Sequence, residues 1–290
     1  MPVKQIGDIS ITTIIESDGP TFEPATLLPD WSPEVLEPHG DWLVPRHYDP
    51  GTGLLVATIQ SFLIRTPHHI ILVDGCFGNG KERLNPKFSH LQTPWLDRLA
   101  AAGVSPEDIN FVMCSHLHPD HVGWNTRLDN GRWVPTFPNA RYLFAETEWN
   151  HLQKESAAAE QPLAHLVDSV LPIIEAGLSQ LVGMDHAIED GIRFTPLPGH
   201  TPGHVGLHIE NNSAEAILTG DMMHHPLQLT YPDWCSGFCK DPDFARATRR
   251  DFLGRYAETD VIIGPAHFPA PTFGFIESAG DTFRFRFDGE

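Results

Sequence analysis

Apolar and polar residues alternate from Ile9 to Ile15, the period of a half-buried strand that opens a sheet. Leu54 to Ile64 and His69 to Val73 read as paired strands joined near Pro67-His68. From Thr93 to Ala102 the spacing becomes helical: Trp95, Leu96 and Leu99 share one face, and Gly103 follows the end. An apolar run from Ile109 to Cys114 and a strand from Arg141 to Ala145 come next. Glu146 to Gly177 reads as helical, broken near Pro162 and Pro172, and Asp241 to Tyr256 is the last helix. Strands alternate with helices in each half, which predicts sheets layered with helices, an α/β architecture. No period of repeat length stands out.

One stretch departs from this rhythm. Asp18 to Gly53 contains seven prolines interleaved with Phe22, Trp31, Trp42 and Tyr48, with little helical or strand pattern. Connections this long in compact enzymes serve as lids or binding walls, and an arm packed on the body or on a second subunit fits equally well.

The apolar run 109–114 ends in His116-Leu117-His118-Pro119-Asp120-His121, three histidines and an aspartate within six residues. Alternate residues on an extended chain point the same way, so His116 and His118 can hold one ion. Asp120 and His121 lie across the turn and can reach a second. Imidazole and carboxylate are ligands for a borderline metal such as zinc. Three further apolar runs each end in a Gly- or Pro-containing bend that carries His or Asp. Ile192–Thr195 leads to Pro198-Gly199-His200, Ala216–Thr219 to Gly220-Asp221, and Val261–Gly264 to Pro265-Ala266-His267.

With Asp74 at the end of Ile70–Val73, these five motifs in this order resemble those of the metallo-β-lactamase-fold hydrolases, in particular the lactonase and methyl parathion hydrolase branch. The resemblance implies a four-layer αββα sandwich over residues 1–290 as a single domain, with the early arm or lid at about 18–53. It implies two divalent ions, most simply zinc, with manganese, cobalt or iron suiting the same donors. By resemblance His116, His118 and His200 hold the first ion, Asp120, His121 and His267 the second, and Asp221 bridges them. A metal-bridging hydroxide is then expected to attack a small, largely uncharged lactone, carboxylic ester or phosphotriester. Asp74 is expected to orient a ligand imidazole. Asp120 and His224 are the catalytic candidates. His224 stands three residues after Asp221, where some lactonases of the superfamily carry a tyrosine that touches the substrate carbonyl. His204 is expected to brace the His200 loop.

Composition narrows the class further. A formal charge of −19 argues against a nucleic-acid groove and against adhesion to anionic lipid. No basic-then-apolar leader and no apolar run of membrane-spanning length is visible, so a cytoplasmic protein with a small-molecule substrate is expected, and the arm is compatible with a homodimer. The four cysteines do not read as a disulfide framework; Cys235 and Cys239 suit either a zinc pair or a local disulfide. Thioesterases related to glyoxalase II share the segment 197–204 but need a helical domain after the last histidine, and only 23 residues follow His267. An iron-dependent redox or oxygenase member of the same fold is the other alternative. Exported β-lactamases replace the bridging aspartate with Cys or Ser.

Overall fold

The computed structural model describes residues 3–290; Met1 and Pro2, the head of the segment expected to lack a leader, lie outside the described residues. Among those described, no helix is long and apolar enough to cross a membrane. Two large sheets and a small two-stranded one account for the strands. The chain divides into two compact units: Met1–Ser17, Ile59–His186 and Asn211–Ser213 form the first, and Asp18–Thr58, Ala187–Glu210 and Ala214–Glu290 the second.

The first sheet runs in the order Val3–Ile6, Ile9–Phe22, Leu54–Arg65, Ile70–Val73, Phe111–Met113, Arg141–Ala145 and Ser179–Val182, with Tyr48–Asp49 paired on Leu54–Arg65. Ile70–Val73 is antiparallel to its predecessor and parallel to Phe111–Met113, which is parallel in turn to Arg141–Ala145. Parallel strands deliver their C-terminal loops to one edge, where open α/β sheets bind ligands. Asp74 and the loop that begins at Cys114 therefore leave the first unit's sheet side by side. The core beneath is aromatic: Trp95 stacks on Trp124 at 5.2 Å, and both pack with Leu99, Val112, Phe137 and Tyr142.

The second sheet runs Ala187–Glu189, Ile192–Pro196, Val205–Asn211, Ala214–Gly220, Ile262–Pro265, Gly274–Ala279 and Thr282–Phe287. Here too the functional loops leave a parallel pair, Ala214–Gly220 with Ile262–Pro265. The helix Pro242–Tyr256 starts where Asp241 accepts the amide of Phe244, and its Phe252 and Leu253 pack with Ile217, Ile263 and Phe268.

The segment expected to lack pattern proves to be structured. The strand that begins at Ile9 continues through Phe22, and Pro24–Leu27 and Leu36–Leu43 are helical. Proline supplies the starting φ of the short helices instead of breaking them. Leu27, Leu28, Val35, Leu43, Leu55 and Leu227 close a core of their own. Between Glu146 and Gly177 the helix ends at Ala158 and resumes as a π-helical turn at Leu166–Val170, and Pro172 sits in the first turn of Leu171–Glu175. The hairpin of Gly274–Ala279 with Thr282–Phe287 was not anticipated.

The turn after Ile70–Val73 is the tightest passage of the first unit. Asp74 and Cys76 adopt φ of 61° and 45°. The amide of Gly75 donates to His121, that of Gly123 to Cys76, and that of Trp124 to Gly75. A Cβ on Gly123 would stand 1.9 Å from the Phe77 carbonyl oxygen, a backbone atom that cannot swing away. Gly123→Ala is expected to destabilise the fold by about 3 kcal/mol, seen as a lower urea midpoint at unchanged slope.

Candidate metal centre

In the first unit, the strand Phe111–Met113 runs into Ser115 and the His-rich loop, and His118 precedes the single helical turn Pro119–Val122. His116 and His121 are buried, while His118 and Asp120 are partly exposed. The ring of His116 lies 4.6 Å from that of His118 and 4.1 Å from that of His121. Asp120 Oδ2 is 3.7 Å from His121 Nε2.

Asp74 holds this loop. Its carboxylate accepts the Ser115 amide at 2.7 Å, the Ser115 hydroxyl at 2.9 Å and His121 Nδ1 at 2.9 Å. The Ser115 oxygen, having given its own proton to Asp74, accepts from His116 Nδ1 at 3.1 Å. One carboxylate thus fixes two imidazoles in the tautomer that carries the lone pair on Nε2. Ser115 carried no signal in the sequence, because a serine between a strand and a histidine is common. The turn beneath is braced by Glu16, buried at 3% exposure, which accepts the amides of Phe77 and Gly78 and the Trp124 indole. Burial raises the Glu16 pKa against those hydrogen bonds.

The second unit repeats the device with different partners. His267 Nδ1 meets the Thr58 carbonyl at 3.1 Å, and His200 Nδ1 meets Cys239 Sγ at 3.7 Å. Both rings turn Nε2 toward Asp221: His267 Nε2 is 3.1 Å from Oδ1, and His200 Nε2 is 3.4 Å from Oδ2. His224 Nε2 joins them at 3.1 Å from Oδ2. Donor atoms of His200, Asp221 and His224 lie within 4.8 Å of one another. His204 accepts the Asp221 amide on Nε2 at 2.9 Å and donates Nδ1 to the Leu197 carbonyl, so it braces the aspartate from behind. His225 is buried and its Nε2 lies 3.1 Å from the His47 carbonyl.

Three imidazoles around one buried carboxylate make poor protein packing without a cation. Burial pushes the His224 imidazole pKa down, with the Asp221 charge opposing. Desolvated neutral imidazoles and a carboxylate are the donors that zinc takes, so the residues fit such an ion. The carbonyl of Thr58 and the thiol of Cys239 could not be found from sequence: each acts through a fold-dependent position and carries no motif.

A family model described as the metallo-beta-lactamase superfamily matches residues 55–271, most of the chain. The chain belongs to that superfamily. Among its relatives, an N-acyl homoserine lactonase of Bacillus cereus is 26% identical over 151 residues, 52% of each protein. Another from Bacillus thuringiensis is 29% identical over 181 residues, 57% of this chain and 63% of that one. The chain thus spans between half and two thirds of these relatives' length. Among solved structures, the dizinc quorum-quenching lactonase AidC, in complex with a product, superposes with a TM-score of 0.81 at 22% identity over 100% of this chain and 97% of its own. The hydrolase AbOPH of the beta lactamase superfamily gives 0.83 at 23% identity over 99% and 97%. These likenesses establish the α/β metallo-β-lactamase fold expected from the motifs.

Asn tolerates the left-handed backbone that Asp74 occupies, so Asp74→Asn keeps the turn while removing the charge that holds Ser115 and His121. Zinc affinity is expected to fall roughly 10- to 100-fold, read by competition with a chromophoric chelator.

Proposed function

We propose that this protein is a dinuclear metal-dependent hydrolase of small, largely uncharged esters, with lactones as the first substrate class. The observation that carries the reading is the shared orientation of its imidazoles. His116, His121, His200 and His267 each have Nδ1 held by a neighbour and Nε2 left as the ligand atom. His116, His118, Asp120, His121, His200, Asp221 and His267 are the residues assigned to two ions, zinc by preference. The names of the relatives, N-acyl homoserine lactonases, support a lactone. When bound, such ions supply an acidified water and a Lewis acid for the carbonyl oxygen.

The chain's own residues do the remainder. Asp221 holds three imidazoles around one carboxylate, and His204 fixes it through its amide. His224 is placed to move a proton. Its ring is 3% exposed, its Nε2 faces Asp221, and its Nδ1 has no hydrogen-bond partner among the described residues. The Gln228 side chain accepts its amide at 2.7 Å and fixes the backbone. A ring held in this way can donate to the oxygen that develops charge or to the departing one. Asp120, partly exposed beside His121, is the second catalytic candidate. A cytoplasmic setting accords with Cys76, Cys114, Cys235 and Cys239 all standing as thiols.

The test is a panel of N-acyl homoserine lactones, aryl esters, thioesters and phosphotriesters on protein of measured metal content. Lactone ring opening is expected to lead in kcat/KM, and a leading thioester or an iron absorption band would replace this reading. His118→Ala should abolish turnover and lower the metal content. His224→Ala should lower kcat about 100-fold with two metals still bound per chain; an unchanged kcat removes it from proton transfer.

A further inference from the structure

The His-rich loop leaves the first sheet from Phe111–Met113, the middle of three parallel strands, with Ile70–Val73 on one side and Arg141–Ala145 on the other. Asp74, at the end of the first neighbour, takes the Ser115 amide. The other neighbour supplies a second carboxylate. Arg141–Ala145 runs without a loop into the helix Glu146–Ala158. Glu148, in the first turn of that helix and 3% exposed, accepts the Leu117 amide on Oε1 at 3.1 Å. Leu152 and Trp149 of the same helix pack into the core that holds Leu117, so donor and acceptor are both anchored by apolar burial. The free amides of a helix N-terminus favour an anionic side chain there and offset part of the cost of burying it.

Leu117 separates His116 from His118. Its side chain is 1% exposed, while the imidazoles on either side of it lie 4.6 Å apart. Turning the peptide between His116 and Leu117 would therefore swing both rings and pull a leucine from the core. We propose that Glu148 is a positioning residue for the metal centre: its carboxyl oxygen holds the Leu117 amide and so sets the angle at which His116 and His118 present their imidazoles to one ion. This deepens the proposed function and rests on the reading of those two histidines as ligands. Asp74 fixes the start of the loop and the tautomers of two rings, and Glu148 fixes the peptide between two ligands. With the amide of 115 held and that of 117 released, the loop could pivot about Ser115. Glu146, two residues earlier, is exposed and cannot take over. The task requires an acceptor oxygen at this place and not a charge.

Two variants separate the acceptor from the volume it occupies. Glu148→Gln keeps an acceptor oxygen on a side chain of the same length, and Glu148→Met fills the space without one. In chelator competition on the zinc-loaded proteins, the Met variant is expected to hold zinc about tenfold more weakly and the Gln variant within about twofold of the parent. A Met variant with a lower urea midpoint but the parent's zinc affinity has lost only structure, and that result overturns the inference, as does the parent's affinity at unchanged stability. A Gln variant as weak as the Met variant overturns the acceptor role. In the metal-free parent the Leu117 amide is expected to exchange with deuterium at least about a hundredfold more slowly than an open loop amide. Exchange at the open-loop rate overturns the inference even where the Met variant does not fold. A parent protein that binds no zinc overturns the proposed function itself.

Discussion

An imidazole presents one nitrogen to a metal only if the proton on the other has somewhere to go, and this protein is organised around that requirement. Asp74 receives the proton of His121 and, through Ser115, secures that of His116. The Thr58 carbonyl receives that of His267, and Cys239 that of His200. Four different acceptors do one job, and each is supplied by a strand end or a loop whose position is set elsewhere in the fold. Without them the rings would sample both tautomers and several rotamers, and ordering them would fall to the ion itself.

Parallel pairing is what makes these acceptors available. Ile70–Val73 beside Phe111–Met113 puts Asp74 next to the His-rich loop, and Ala214–Gly220 beside Ile262–Pro265 puts Asp221 next to His267. The left-handed backbone at Asp74 and the glycine at 123 are the local consequence in the first unit, since the two loops touch backbone to backbone there. The buried Glu16 belongs to the same solution. It takes up amides that the tight turn would otherwise leave without acceptors, at the cost of burying a carboxyl group.

The polar machinery is not equally tolerant of its surroundings. Asp74 acts through a carboxylate, a strong acceptor with room for three donors. Cys239 acts through sulfur, a weak acceptor whose electron count can change. Two imidazoles on Asp221 thus differ in how they are held: His267 by a backbone carbonyl that is chemically inert, His200 by a thiol that is not. That asymmetry lies in the groups that accept the protons, and the imidazoles themselves give no hint of it.

The residues proposed to hold the ions stand out in the sequence between 74 and 267, because histidines and aspartates at the ends of apolar runs have few structural uses. The strand Arg141–Ala145 and the helix near Asp241 to Tyr256 were legible too, since hydrophobic period is a local property. The segment 18–53 was not: its apolar residues serve a core completed by Leu55 and Leu227, and no window of sequence contains that core. Nor were Ser115, Thr58 and Cys239 visible as partners of the imidazoles. A hydrogen bond between residues 39 or 209 positions apart is decided by which strands lie side by side, and only the tertiary structure decides that.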